Sequence, residues 1–313
     1  MSAAHPHPHL ASGLLMASLG SIAFSGKAII VKLAYRYGVD AVTLIMYRML
    51  FALPLFLALT WWASRTRNGH TPPPLTRRDW LGVIGLGVTG YYLASFLDFW
   101  GLEFISASLE RLILYLNPTI VLVLGWLLYG RRITRLQAVA MGISYAGVLL
   151  VFGREAGQQG PHAALGAGLV FASAISYAIY LVYSGELVKR LGSLRLVGLA
   201  TSVACVLCIA QFVVLRPLSS AAVQPEVVWL SLLNASLCTF VPVLLVMMAI
   251  ERIGSGLTAQ TGMIGPMSTI VMGVLILGEP FNGWIVAGTV LVLSGVYLVT
   301  RFGAPKVLDK TGD

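Results

Sequence analysis

Residues 106–131, SASLERLILYLNPTIVLVLGWLLYGR, form an apolar run long enough to cross a bilayer, with one proline, Pro118, near its middle. The run recurs. An offset of 148 carries Pro118 to Pro266, Ile105 to Ile253, Leu109 to Leu257, Gly125 to Gly273, Leu127 to Leu275, Gly130 to Gly278 and Gly147 to Gly295 without a gap. A period of this length is too long for a solenoid unit and fits half of a duplicated membrane protein. A proline inside a helix removes one backbone hydrogen bond and crowds the carbonyl four residues earlier, here those of Leu114 and Gly262. In lipid those carbonyls need other partners. Helices interrupted at matching positions of two halves point to a transporter's binding site; the alternative is a pair of packing kinks, since proline is common in membrane helices.

Composition removes the competing fold classes. With 58% hydrophobic and 11% charged residues, the chain is too apolar for a soluble domain. Long apolar stretches follow one another with brief polar gaps, which excludes a soluble α/β enzyme, and no alternation of apolar and polar residues recurs as a β-barrel needs. The formal charge of +9 resides in loops, with no basic patch interleaved with aromatics, so no nucleic-acid partner is expected. The start, MSAAHPHPHL, has no lysine or arginine before the first apolar run and no small-residue cleavage site follows. It reads as a disordered tail rather than a signal peptide. His5, His7 and His9 alternate with Pro6 and Pro8 and are not expected to hold a metal. Cys205, Cys208 and Cys238 fall within apolar runs as small packing residues; no disulfide, metal or cofactor is predicted.

The fold class is therefore all-α, a polytopic membrane protein of ten helices at about 10–34, 40–62, 80–102, 106–129, 134–152, 164–187, 194–215, 226–249, 254–278 and 282–301. A tail at 1–9, a first repeat at 10–153, a connection at 154–163, a second repeat at 164–302 and a tail at 303–313 complete the organisation. The gap at 64–79, with Pro72, Pro73 and Pro74, is the longest loop. Of the 21 lysines and arginines, Lys27, Arg48 and Arg111 lie within helices, Lys32, Arg36, Arg154 and Arg216 belong to one side, and the rest to the other. That excess places both termini in the cytoplasm. Five helices per half then make the repeat inverted, the arrangement of alternating-access transporters. The first helices of the halves also match, at an offset of 155: Gly13, Ser18, Ser21 and Ala23 recur as Gly168, Ser173, Ser176 and Ala178. Small residues of this kind let membrane helices pack closely, which is the favoured role for the serines. Tyr177 and Tyr180 fit packing and a solute pathway equally.

The stretch from Gly20 to Lys27, Arg48 in the second helix, Ile105-Ser106-Ala107-Ser108 leading to Pro118, and Gly142 and Gly147 form a pattern. The second half repeats it as Ile253-Gly254-Ser255-Gly256, Pro266, Leu277-Gly278-Glu279-Pro280 and Gly295. This pattern resembles the EamA-type drug/metabolite transporter superfamily over nearly the whole chain, and within it the bacterial inner-membrane exporters of amino acids, including the aromatic amino-acid group. The resemblance implies two inverted five-helix repeats around a central cavity. Arg131 departs from it, since a glutamate commonly follows that glycine in the first repeat.

Lys27, Arg48, Asp98, Glu110 and Arg111 thread to the same, periplasmic half of the membrane, where they can meet. Buried charges are costly unless paired or hydrated, so the cluster is either part of a pathway or a salt-bridged scaffold with Lys27 and Arg111 snorkelling outward. Glu103, Glu251 and Glu279 lie at helix ends, in capping or solvated positions. Along the fourth helix Glu110, Leu114, Asn117 and Val121 share a face, and the offset maps them to Thr258, Gly262, Gly265 and Thr269. The ninth-helix version, with Thr261 beside Gly262, exposes backbone and hydroxyls suited to a small zwitterion. Tyr91, Ser95 and Asp98 form a similar stripe on the third helix. Tyr91 and Tyr115 are cavity candidates, whereas Trp100 and Trp126 suit interface anchoring.

The sequence thus predicts a non-enzymatic carrier whose partners are a small-molecule substrate and the lipid bilayer; no feature sets an oligomeric state. The substrate is an amino acid or similar amphipathic metabolite, contacted from helices 3, 4, 6 and 9 and exported across a bacterial inner membrane. A carrier of phosphorylated or nucleotide-linked sugars is the alternative within transport, with Lys27, Arg48 and Arg111 as anion ligands. A membrane enzyme lacks support, because no paired carboxylates or nucleophile with its base share a membrane depth. A lipid-scrambling role would show as an absence of solute flux. The second half offers no carboxylate between its helix ends, and a nearby cation keeps Asp98 and Glu110 ionised, so facilitated diffusion or exchange is expected rather than proton coupling. Helices 4 and 9 should cross near their prolines about a two-fold axis in the membrane plane.

Overall fold

A computed structural model describes residues 8–65, 73–130, 133–155 and 160–303. Most of the histidine-bearing tail and the sites of Arg67, Pro72, Arg131, Arg132, Lys306 and Lys310 lie outside the described residues. Among the described residues the chain is helical: α1 (Pro8–Tyr35), α2 (Ala41–Ala63), α3 (Arg77–Gly87), α4 (Ala94–Leu102), α5 (Ala107–Leu114), α6 (Asn117–Tyr129), α7 (Arg135–Glu155), α8 (Ala163–Leu191), α9 (Ser193–Leu215), α10 (Pro225–Ala235), α11 (Val241–Gly262), α12 (Ile264–Met272) and α13 (Gly283–Gly303). Ten spans are long and apolar enough to cross a membrane. The third combines α3, a π-helical segment Val88–Leu93 and α4; the fourth is α5 and α6. The eighth runs from α10 through a π segment, Ser236–Phe240, into α11, and the ninth ends in a third π segment, Gly273–Leu277.

Local chemistry sets the helix ends. Asp40 caps α2 by accepting from the amides of Val42 and Thr43. Thr76 and Asp79 form a capping box that starts α3 three residues before the predicted 80. Ser106 caps α5, and Gly130 and Gly278, with φ of 63° and 72°, end the fourth and ninth spans in the left-handed region that favours glycine. The boundary between spans eight and nine departs from expectation. The sequence predicts a break before 254, yet helical hydrogen bonding in α11 continues to Gly262, and the interruption falls at Met263.

Packing partners exchange when the halves are swapped. α1 packs on the eighth and ninth spans, and its repeat-mate α8 packs on the third and fourth. Three pairs are self-equivalent: α2 with α9, α7 with α13, and α5 with α12. This is the contact pattern of an inverted two-fold repeat. The π segments of the third and eighth spans begin at Val88 and Ser236, again 148 apart. α2 and α9 are the most buried of the described spans, so this pair is the interior wall. Cys205 and Cys208 are fully buried on α9 within it. Leu15, Leu81, Val214, Leu275 and other exposed apolar side chains face outward, as lipid contact requires. Trp100 and Trp126 are among the exposed residues, and Arg65 and Arg154 stack over Trp61 and Trp284 near helix ends.

The α7–α13 seam depends on repeat-matched glycines. A Cβ on Gly147 would lie 2.7 Å from the Gly288 carbonyl, and one on Gly295 would lie 2.5 Å from the Ala140 carbonyl. Backbone cannot yield as a side chain can. Gly295→Val should therefore destabilise the protein by about 1–3 kcal/mol through overpacking. Gly142→Val, whose Cβ would meet nothing within 4 Å, should shift stability by less than about 0.5 kcal/mol. Thermal unfolding of both variants in detergent checks the contrast.

Candidate functional site

The fourth and ninth spans meet at their interruptions. Helix geometry lapses at Tyr115–Leu116 in one and at Met263 in the other, and Tyr115 and Met263 are themselves 148 apart. Both carbonyls that the prolines displace have found partners. Leu114 O accepts from the Asn117 side-chain amide at 2.8 Å, and Gly262 O accepts from the Tyr115 hydroxyl across the two spans. The crossing therefore lies about one turn before Pro118 and Pro266. Pro266 is buried, Pro118 half-buried. Gly265 makes the close approach workable: a Cβ there would come within 2.9 Å of the Tyr115 hydroxyl and 3.3 Å of Ser25 Oγ. Its carbonyl accepts from Ser25 Oγ at 2.9 Å, and the same hydroxyl accepts from Arg111 Nη2 at 2.8 Å.

The intramembrane charges come together beside this crossing. Lys27 Nζ lies 2.5 Å from Asp98 Oδ2 and 3.1 Å from Glu110 Oε1, joining α1, α4 and α5. Exposure is 6% for Lys27, 2% for Asp98 and 0% for Glu110, so the site excludes bulk water and the pairing has to be internal. Two carboxylates on one ammonium correct the expectation that none are paired. Arg111 adds a second cation next to Glu110 and faces the rings of Phe24 and Tyr115. Arg48 binds elsewhere: its Nε donates to Thr239 Oγ1 at 3.1 Å, its Nη1 reaches Ser95 Oγ at 3.5 Å, and its guanidinium lies over Phe99. Asp98 Oδ1, Glu110 Oε2, Arg111 Nε and Asn117 Oδ1 are buried with no hydrogen-bond partner among the described residues. Unmet polar atoms converging from three helices are what a polar ligand or trapped water satisfies.

An aromatic group flanks the third span. The Tyr91 and Tyr180 hydroxyls are 3.3 Å apart with their rings edge-on, and Tyr177 stacks on Tyr180. Gly90 is required there, since a Cβ would enter the Tyr180 ring. Hydroxyls on α8 serve the π segment and the start of α4: Ser176 donates to Thr89 O and Ser173 to Ala94 O, each at 2.7 Å. In the eighth span Thr239 donates to Asn234 O, while the Asn234 amide reaches Lys27 O. π-Helical turns of this sort concentrate at functional sites.

One to two turns beyond Lys27 along α1, the bundle opens into a cleft of about 610 Å³ lined by Lys32, Tyr35, Arg36, Asp40, Glu103 and Glu279. A second cleft of about 370 Å³ shares Lys32, Glu103 and Glu279. Lys32 donates to Leu102 O and Ile105 O, and Tyr35 donates to Phe99 O. Burial pushes the Glu103 carboxyl above its usual range, partly opposed by the Ala41 amide that it accepts. At Asp40 burial acts the same way but is outweighed by hydrogen bonds from Thr43 and Val42 and by Arg216, so its carboxyl sits below the usual range.

The structure thus gathers Lys27, Asp98, Glu110, Arg111, Tyr115, Gly262 and Gly265 in one place, with Arg48 and Ser95 adjoining through Phe99 and Thr239, while Asn117 turns to Leu114 O in its own span. Tyr91, Tyr177 and Tyr180 form a separate aromatic wall. The Thr261 hydroxyl donates to Leu257 O in its own helix, as Ser268 and Thr269 do to Ile264 O and Gly265 O. A serine or threonine in lipid satisfies itself on the preceding turn where no neighbour competes. Ser25, Asn234 and Thr239 are site residues that the sequence pattern alone does not single out. Isolated polar residues in apolar runs were the available signal, but only the packing shows which of them face the interior.

Comparison with known proteins follows the same division into halves. Residues 11–153 and 164–301 each match the EamA-like transporter family. A Bacillus subtilis protein named "Uncharacterized transporter YcbK" is 30% identical over 275 residues, covering 86% of each chain. The Saccharomyces cerevisiae "Probable transport protein YPL264C" is 23% identical over 294 residues, covering 86% of this chain and 80% of its own. A solved crystal structure superposes with a TM-score of 0.62 at 17% identity, over 93% of this chain and 97% of that one, a likeness of fold.

Tyr115→Phe tests the crossing. It leaves Gly262 O buried without its donor, which should cost about 1–3 kcal/mol. Hydrogen exchange should rise at amides 262–268 more than at amides of α7. Equal protection in wild type and variant would show that the hydroxyl is not what holds the interruption.

Proposed function

This chain belongs to the EamA-like transporter family, and from that premise we propose that it exports amino acids, aromatic ones among them, or similar small amphipathic metabolites by alternating access. It is a multi-pass membrane transporter; the substrate, the direction and the placement in a bacterial inner membrane with cytoplasmic termini are parts of the proposal. The observation that carries it is the buried set Lys27, Asp98, Glu110 and Arg111 at the crossing of two interrupted helices. Lys27 compensates both carboxylates. A zwitterion supplies an ammonium to Asp98 or Glu110 and a carboxylate to Arg111, replacing internal pairs by equivalent ones, so that neither charge is left bare in lipid. Tyr91, Tyr177 and Tyr180 supply an aromatic wall for an apolar side chain. A sugar phosphate fits less well, because its anion would have to pull Lys27 from Asp98 while facing Glu110.

Energetically, facilitated diffusion or exchange is proposed over proton coupling, because Lys27 is already paired with both carboxylates. Counterflow in proteoliposomes with a panel of amino acids, sugar phosphates and cationic drugs tests the substrate class. Phenylalanine or another amino acid should exchange, and Asp98→Asn should slow that exchange at least about tenfold, the loss of one charged hydrogen bond. Exchange of sugar phosphates alone would reject the reading. An imposed pH gradient, with an electroneutral ionophore control, should leave the final distribution unchanged. Uphill accumulation that disappears in Glu110→Gln would make the carboxylate a proton-coupling site instead.

A further inference from the structure

Glu279 lies outside the substrate site, half-buried where the ninth span ends, and its carboxylate crosses to the other half of the protein. Oε1 accepts from the Ala107 amide at 2.7 Å; Oε2 accepts from the Ser108 hydroxyl at 2.6 Å and from the Ser108 amide at 3.2 Å. These are the unpaired first-turn amides of α5, where a helix terminus favours a negative charge. The chain is shaped to deliver the carboxylate there. The π turn Gly273–Leu277 ends at left-handed Gly278, the Glu279 amide folds back to Gly273 O, and Arg36 holds the Leu277 carbonyl from α1. Gly273 lacks a side chain beneath it, and a Cβ would lie 2.8 Å from the carboxylate.

Glu279 and α5 belong to groups that alternating access has to separate. α1 packs with the eighth and ninth spans, α8 with the third and fourth. At the end of the bundle that the charge distribution places outside, the two groups are tied by Lys32 to Leu102 O and Ile105 O, by Tyr35 to Phe99 O, and by Glu279 to α5. Of these only the last presents a full negative charge to a helix N-terminus at the edge of the 610 Å³ cleft, where water can hydrate it on release.

We propose that Glu279 is the latch of the outer gate, a positioning residue that holds the carrier closed to the outside until the groups part. The latch is one-sided. The equivalent turn in the first half keeps both glycines, Gly125 and Gly130, and Gly130 has the same left-handed backbone, but the residue that follows is Arg131, and the positions matching the α5 start fall inside α11 rather than at a helix N-terminus.

The proposal rests on the alternating-access reading, and its test needs no solute. Spin labels at Phe104→Cys and Phe281→Cys report the outer end, and labels at Leu10→Cys and Arg78→Cys report the inner end, measured by electron–electron distance in nanodiscs. Wild type should show one short outer distance. Glu279→Gln should add a longer outer population, raising the open-to-closed ratio about tenfold, with the inner pair remaining narrow or moving closer. Glu279→Asp, which keeps the charge on a shorter arm, should fall between. If Glu279→Gln fails to insert, Gly273→Ala displaces the carboxylate without removing it and should open the same pair. Unchanged outer distances in these variants, or equal broadening at both ends, would overturn the latch. An opening gate with no flux of any amino acid in the panel would reject the substrate reading and leave the latch standing.

Discussion

In a bilayer the Tyr115 hydroxyl on the Gly262 carbonyl is the contact from which much of the interior follows. Water cannot rescue a carbonyl displaced by proline at that depth, so each interrupted helix needs a donor nearby. Asn117 serves the fourth span from within, and Tyr115 serves the ninth from across the crossing. That second choice fixes how the two spans meet. It brings Gly265 against Ser25 and Arg111, and Arg111 beside Glu110, so the backbone repair and the charge cluster form one connected network.

The charge cluster costs desolvation that its internal pairing only partly offsets. A protein selected for stability alone would fill such a site with leucine. Keeping Lys27 between two carboxylates, with four neighbouring polar atoms unmet, makes sense if another charged group visits the site. The π segments in the third and eighth spans add backbone carbonyls taken up by side chains, Thr89 O by Ser176 and Asn234 O by Thr239.

The two halves share backbone design more closely than side-chain chemistry. Prolines, interruptions, the π segments of the third and eighth spans and left-handed glycines recur at one offset, while Glu110 corresponds to a threonine in the second repeat and Glu279 to an arginine in the first. Symmetry of backbone lets one packing solution serve both orientations. Asymmetry of side chains lets the two ends of the membrane differ in what they bind and how tightly they close.

Hydrophobic run lengths, the repeat, its inversion and the pairing needs of Leu114 and Gly262 were legible in the sequence alone, because each follows from backbone chemistry and from the thickness of a bilayer. That Lys27, Arg48, Asp98, Glu110 and Arg111 share a depth was legible too, but not that Lys27 bridges both carboxylates while Arg48 binds Thr239. Tertiary structure decided the rest: that Tyr115 rather than a threonine repairs Gly262, that the hydroxyls of Thr261 and Thr269 turn back on their own helix, and that Glu279 reaches α5. Each of those depends on which face a helix turns toward its neighbours. In an almost uniformly apolar span that rotation leaves little trace in hydrophobic periodicity, since lipid and protein interior favour the same residues.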